Sequence, residues 1–135
     1  MDFIYKRKIN YYETDRMGIV HHSNYIRFLE ESRSYWLENA NIPMGKLESL
    51  GYTIPTLEVY CKYIHHVTVG DNLLIKPIME EYNGVRMKIS YEVIDEKTNR
   101  KVIDAWTTHC FTSRELRPVN MKKHNPEIND IFENL

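Results

Sequence analysis

The strongest constraint on this chain is a change of period. From Tyr25 to Ala40, apolar or small residues recur at Tyr25, Phe28, Leu29, Ser32, Tyr35, Trp36 and Ala40, the spacing of one helical face. Arg27, Glu30, Glu31, Ser34 and Glu38 fall mostly elsewhere on that helix. Pro43 ends it, because proline disfavours helical geometry in the residue before it. After Gly51 the pattern becomes strand-like over residues 56–67, 73–82, 85–93 and 101–113. Val85, Met87, Ile89, Tyr91 and Val93 alternate with Arg86, Lys88, Ser90 and Glu92, and Val102, Trp106 and Cys110 take alternate positions in the last run. Asn83-Gly84 is a strong hairpin signal, and "VGDN" and "DEKTNRK" supply two further turns. With residues 3–13 as a first strand, the order is strand, long helix, then about four strands. Short turns between consecutive strands imply antiparallel pairing, hence an α+β fold. One helix covers one face of such a sheet, so the other face or an open edge calls for a partner and a homo-oligomer is expected.

At 135 residues the chain is expected to form a single domain, 1–135, with a polar tail from about 119 and a short helix after Pro126. Eighteen basic and nineteen acidic residues give a net charge of -1, which speaks against a nucleic-acid-binding protein. No apolar run approaches the roughly 20 residues of a membrane span. The start, "MDFIYKRKIN", lacks the apolar core of a signal peptide, so a cytoplasmic protein without membrane insertion is expected. Cys61 and Cys110 show no zinc or redox spacing and read as buried reduced thiols. No glycine-rich nucleotide loop is present.

Residues 11–25, "YYETDRMGIVHHSNY", join the first strand to the helix. An ordinary polar turn accounts for Asp15, three residues before Gly18, through side-chain-to-backbone hydrogen bonds. His21 and His22 then sit at a helix entry, and Glu13 and Asp15 lack a metal-ligand spacing. A second role is chemical. Ser23 or Asn24 can cap the helix, whose first amides are unpaired and carry partial positive charge suited to an oxyanion. Gly18 allows close approach of a ligand to the backbone. A carboxylate seven residues before the helix entry would complete the parts for acyl transfer: amides near His22 polarise a carbonyl while Asp15 attacks it or activates water. A thioester, with its good leaving group, is the substrate best matched to a lone carboxylate.

On these residues the chain resembles the hot-dog-fold acyl-CoA thioesterases of the 4-hydroxybenzoyl-CoA thioesterase type. The resemblance rests on Thr14-Asp15, Gly18-Ile19-Val20 and Asn24-Tyr25, continuing into Phe28, Glu30 and Arg33. Gly51, Pro55, Lys62-Tyr63, Gly70-Asp71 and Arg117-Pro118 add weaker matches, so that it spans roughly residues 4–118. It implies an antiparallel sheet wrapped around one long central helix, and at least a homodimer, often a homotetramer, with the site at the dimer interface. It implies an acyl-CoA substrate, no metal and no cofactor beyond the coenzyme A of the substrate. By position Asp15 matches the catalytic carboxylate and the His22 backbone amide the oxyanion donor, with Gly18, Val20, Asn24 and Tyr25 around the substrate. Glu30 or Glu31 would compete if the working carboxylate lay on the helix, and Asp15 with His22 superficially resembles the paired Asp and His of fold-related hydratases. Arg86, Lys88, Arg114 and Arg117, with Lys122 and Lys123 beside them, are the candidate partners of the coenzyme A phosphates. The alternatives are an acyl carrier protein thioesterase, a noncatalytic acyl-thioester binding protein and a purely structural dimeric module.

Overall fold

The alternating runs do fold into one antiparallel sheet. A computed structural model describes residues 3–135; residues 1–2 of the expected domain lie outside the described residues. Strands β1 (Tyr5–Lys8), β3 (Thr56–Tyr63), β4 (Asn72–Tyr82), β5 (Arg86–Asp95) and β6 (Lys101–Cys110) are ordered β1-β4-β5-β6-β3. A two-stranded ladder pairs β2 (Tyr52–Thr53) with β7 (Thr112–Ser113). Helix α1 (Ser23–Asn39) lies across the sheet and buries Tyr25, Phe28, Leu29, Ser32, Trp36 and Leu37, much of the face its period marks. Against it stand Leu73 and Ile75 of β4, Met87, Ile89, Tyr91 and Val93 of β5, and Ile103 and Ala105 of β6. The expected α+β arrangement, a sheet around one long helix, is the one observed.

Several boundaries differ from the pattern. The first strand stops at Lys8, because the Asn10 N–H donates to Glu13 Oε1 (2.8 Å) and draws residues Tyr11–Glu13 into a 3-10 turn. Strand β3 stops at Tyr63, where the N–H groups of Ile64 and His65 both turn to the Val102 carbonyl. In β6 the inward residues are Ile103, Ala105, Thr107 and His109. Trp106 takes the outer face, stacked on Tyr60 with ring centroids 5.6 Å apart and with Lys88 Nζ 4.7 Å from its ring centre. Val102 is the extra residue of a bulge opposite Val93 and Ile94, so it is buried beside Ile103 despite the opposite parity.

The polar tail is also structured. After the short α2 (Met44–Ser49) that follows α1, the tail adds α3 (Met121–His124) and α4 (Pro126–Glu133). Asn120 and Asn125 cap the last two by accepting from the Lys122 and Ile128 amides. Four apolar side chains, Val119, Met121, Ile128 and Phe132, go into the core and hide within an otherwise charged segment. The docking point is the Asn83-Gly84 hairpin: the Met121 N–H donates to the Gly84 carbonyl (2.9 Å). Gly84 has φ +94°, and a Cβ there would lie 2.7 Å from Asn120 Oδ1 and 2.9 Å from Lys122 Cγ. Phe132 packs edge-to-face on Phe111 at 4.7 Å. Phe132→Ala should therefore cost about 3–5 kcal/mol, as loss of a buried aromatic does, read as a lower urea midpoint at unchanged slope.

Candidate active site

Residues 9–22 are built as a hairpin that returns the chain to its starting point. Thr14 and Val20 form an antiparallel bridge, and the Asp15 N–H donates to the Ile19 carbonyl (2.8 Å). The Gly18 N–H closes the tip on the Asp15 carbonyl (2.9 Å), with Gly18 at φ +79°. A Cβ on Gly18 would meet nothing within 4 Å in this chain, so its backbone conformation, more than crowding, makes glycine suitable there. Asp15 Oδ1 accepts from the Met17 N–H (2.8 Å), the turn-holding role expected of an aspartate in such a loop. No side-chain cation forms an ion pair with Asp15 among the described residues.

Two neighbours fix this hairpin. On one side Val20 N–H donates to the Val67 carbonyl, and Thr68 Oγ1 donates to the Gly18 carbonyl (2.7 Å). On the other, Glu13 is 4 % exposed and takes a two-pronged ion pair from Arg7, Nη1 to Oε1 at 2.8 Å and Nη2 to Oε2 at 2.6 Å. Arg7 also donates through Nε to Glu31 Oε1 (2.8 Å), which accepts from the Tyr5 hydroxyl as well, and its guanidinium lies 4.7 Å from the Phe28 ring centre. Glu31 is thus committed to Arg7 and Tyr5, whereas Glu30 is exposed on the helix surface. The Arg7–Glu13 pair is the main feature the sequence reading missed. Its signal was present: glutamate three residues after Asn10 is half of a capping box.

The helix entry follows directly. The His21 N–H and the Asn24 side-chain amide both donate to the Glu13 carbonyl (2.9 Å each). Neither Ser23 nor Asn24 caps the helix. His22 is the first residue of helical geometry, and His21 Nδ1 accepts from the Ser23 N–H (3.2 Å) and lies 2.8 Å from Ser23 Oγ. Among the described residues no group accepts from the His22 N–H. The rings of His21 and His22 stack at 4.3 Å, both side chains exposed. Tyr63, at the end of β3, donates to the His22 carbonyl (3.4 Å) and lies 5.7 Å from the Tyr25 ring. Val20 and Tyr25 are each 4 % exposed, so in a single chain they are core that supports the turn, and burial pushes the Tyr25 phenol up. Asp15, Gly18 and Asn24 stay at least partly exposed, and the His22 amide is unpaired among the described residues.

Within one chain the basic candidates are not gathered there. Arg86 pairs with Cys110 and Lys88 with Thr108, whereas Tyr63, beside the helix entry, pairs with Ile103. The two ends of β6 stand roughly 20 Å apart at the rise of a strand. Arg114 donates to the Glu48 carbonyl (3.1 Å), Lys88 is held over Trp106, and Arg86 and Arg117 are exposed. Among the described residues no three His, Cys, Asp or Glu side chains are grouped to hold a metal ion. Among them, too, no helix is long and apolar enough to cross a membrane.

A family model described as the thioesterase-like superfamily matches residues 9–130. The chain belongs to that superfamily. It is 37% identical over 111 residues to an Aquifex aeolicus protein named "Putative esterase", covering 82% of this chain and 85% of that one. It is 26% identical over 138 residues to acyl-CoA thioesterase YbgC of Haemophilus influenzae, covering 98% and 96%. The crystal structure of a DHNA-CoA thioesterase from Staphylococcus aureus shares the fold at TM-score 0.91 and 20% identity, covering 98% of this chain and 89% of that one. The hot-dog fold implied by the sequence is therefore the fold of this thioesterase-like chain.

A second polar cluster lies under the far half of α1. Arg33 Nη1 donates to the Tyr91 hydroxyl (3.1 Å), Tyr91 and Thr107 share a hydrogen bond (2.6 Å), and His109 Nε2 lies 2.8 Å from Thr107 Oγ1. Burial, with the nearby Arg33 charge, pushes the His109 imidazole down to about 4.

Two outcomes follow from these clusters. Arg7→Met strands the buried Glu13 carboxylate and should lower stability by about 3–5 kcal/mol, whereas replacing an exposed arginine such as Arg117 should change it by less than about 1 kcal/mol. Unfolded His109 binds a proton near its ordinary 6.5 but the folded ring does not until about 4. Stability is therefore lost as pH falls through that window, by about 3 kcal/mol at most. The thermal midpoint should fall less steeply between pH 6.5 and 4 in His109→Gln than in the wild type.

Proposed function

We propose that this protein hydrolyses acyl-CoA thioesters to the free acid and coenzyme A, with Asp15 and the His22 amide as its working groups. The observation that carries the proposal is a turn-held carboxylate and an unpaired helix-entry N–H carried on one hairpin, in a chain of the thioesterase-like superfamily. The relative named acyl-CoA thioesterase, matched over nearly its whole length, points to the same leaving group. In the general-base route Asp15 takes a proton from water as the oxygen attacks the thioester carbonyl. The carbonyl oxygen gains the negative charge and is held by the His22 N–H, aided by the partial charge of the helix start. Collapse of the intermediate breaks the C–S bond, and the thiolate leaves with the proton held by Asp15. In the covalent route Asp15 attacks first, coenzyme A leaves, and water cleaves the resulting anhydride. Both need only the thioester and water.

The functional unit is at least a dimer. Strand β3 is one of the two outer strands of the sheet, and seven of its eight residues are exposed, Leu57 and Val59 at 42% and Tyr63 at 49% among them. An exposed apolar strand of this length is a pairing edge, and pairing with a second copy closes it.

Asp15→Ala and Asp15→Asn should each lower kcat on an acyl-CoA panel by at least ~100-fold, with KM changed far less. Free thiol release is the readout. Full activity of either variant, or no turnover of any acyl-CoA or acyl carrier protein thioester by the wild type, would sink the proposal. Oxygen-18 found in Asp15 after a single turnover in labelled water identifies the covalent route, since the general-base route leaves Asp15 unlabelled.

A further inference from the structure

We propose that the cavity beneath the far half of α1 receives the acyl group, admits about one ring, and uses Arg33 to select acyl groups that carry a carboxylate at their far end. This rests on the thioesterase proposal above and names the substrate class of that site.

The cavity measures about 130 Å³ and opens between α1, α2, the sheet and α4. Its walls are largely apolar, with Leu37, Met44, Met79, Met87 and Ile89 among them. A dry apolar cavity of about 150 Å³ holds one benzene molecule, so a ring or a similarly short chain fits here and a long fatty chain does not. Methionines make such a wall adaptable to flat groups. One full charge stands inside it. Arg33 spends a single hydrogen bond on Tyr91 and forms no ion pair among the described residues. Glu30 also borders the cavity but is exposed at its rim. His109, on the wall beside Arg33, stays neutral above about 4 and adds no second charge. A half-buried guanidinium with no ion-pair partner among the described residues matches the planar fork of a carboxylate.

The edge strand explains how a cavity so placed serves the Asp15 site. Within one chain, His22 and Arg33 are eleven residues apart on the helix, roughly 16 Å, further than a one-ring acyl group spans. Thr56, at the start of β3, borders the cavity, and Tyr63, at its end, touches His22. When β3 pairs antiparallel with β3 of a second copy about a two-fold axis, each Thr56 end lies opposite a Tyr63 end. The carbonyl held at one copy's helix entry then points its acyl group toward the other copy's cavity.

The test measures binding and turnover separately. Calorimetry with the full-length protein and two uncleavable thioether analogues, benzyl-CoA and 4-carboxybenzyl-CoA, should show the carboxylated ring bound roughly 10–100-fold tighter, as one charge-assisted contact gives. Arg33→Met should bring that ratio within about threefold and Arg33→Lys should retain part of it, with folding checked by circular dichroism. Met79→Phe, which fills the cavity without touching Arg33, should weaken binding of both rings by at least ~10-fold. An unchanged ratio in Arg33→Met, or a hexadecyl thioether bound as tightly as the rings, overturns the proposal. If the ratios behave as expected while Asp15→Ala turns over normally, the catalytic assignment fails and this one stands. Mixing Asp15→Ala with Arg33→Met protein should restore 4-carboxybenzoyl-CoA hydrolysis at roughly a quarter of wild-type sites, since each mixed dimer holds one intact pair. No gain above the separate variants would overturn the placement across the two copies.

Discussion

Arg7 is the residue on which the geometry of the helix entry depends. One guanidinium joins β1, the 3-10 turn through Glu13 and the middle of α1 through Glu31, and lies over Phe28 as well. The Glu13 carbonyl, fixed by that ion pair, is the acceptor for both the His21 N–H and the Asn24 side chain. The chain therefore leaves the hairpin at a set angle and the helix begins at His22, with its N–H unspent. A buried ion pair of this kind adds little net stability over apolar packing, because desolvation offsets attraction. Its effect is positional: the five donors of Arg7 admit few arrangements of the three segments it touches.

The same economy governs the Asp15 hairpin. The backbone bonds at its tip are local, Asp15 to Ile19 and Gly18 back to Asp15, and the Thr68 side chain ties the tip to the neighbouring loop. A loop closed mainly on itself holds a carboxylate steady at little cost in ordering entropy, and leaves both its face and the helix entry open to a ligand. The His21 and His22 rings stack on one another beside the helix entry and stay exposed.

Much of this was legible where a residue's partner is close in sequence. The period of α1, the alternation in β5 and the Asn83-Gly84 hairpin involve neighbours a few residues apart, and each appears as expected. So does the turn-holding bond of the Asp15 side chain, which accepts from the Met17 N–H. The misses involve distant partners. Trp106 has the right parity for a core strand residue but the wrong face, because a bulge near Val102 and the stack on Tyr60 are set by other strands. Val119, Met121, Ile128 and Phe132 are spaced among charges, and only the hairpin they dock beside reveals a core position. The helix cap fell to the His21 ring instead of Ser23 or Asn24, since Asn24 is drawn away by the Glu13 carbonyl. Val20 and Tyr25 belong to the matching motif and lie inside, so part of that motif is core in a single chain.

The two polar clusters on α1 differ in a way that bears on their roles. Arg7 meets two carboxylates and its charge is spent, as a structural cation requires. Arg33 meets a phenol, and the neighbouring His109 gives up its proton in the presence of burial and of that same charge. Holding an uncompensated guanidinium half-buried is costly, and an apolar side chain at that position would fill the cavity at less expense. Tyr91, Thr107 and His109 nonetheless form a hydrogen-bonded chain behind it, with no buried side-chain polar atom among the described residues left unpaired. A charge hydrogen-bonded to Tyr91 and without an ion-pair partner among the described residues matches the incoming carboxylate proposed above.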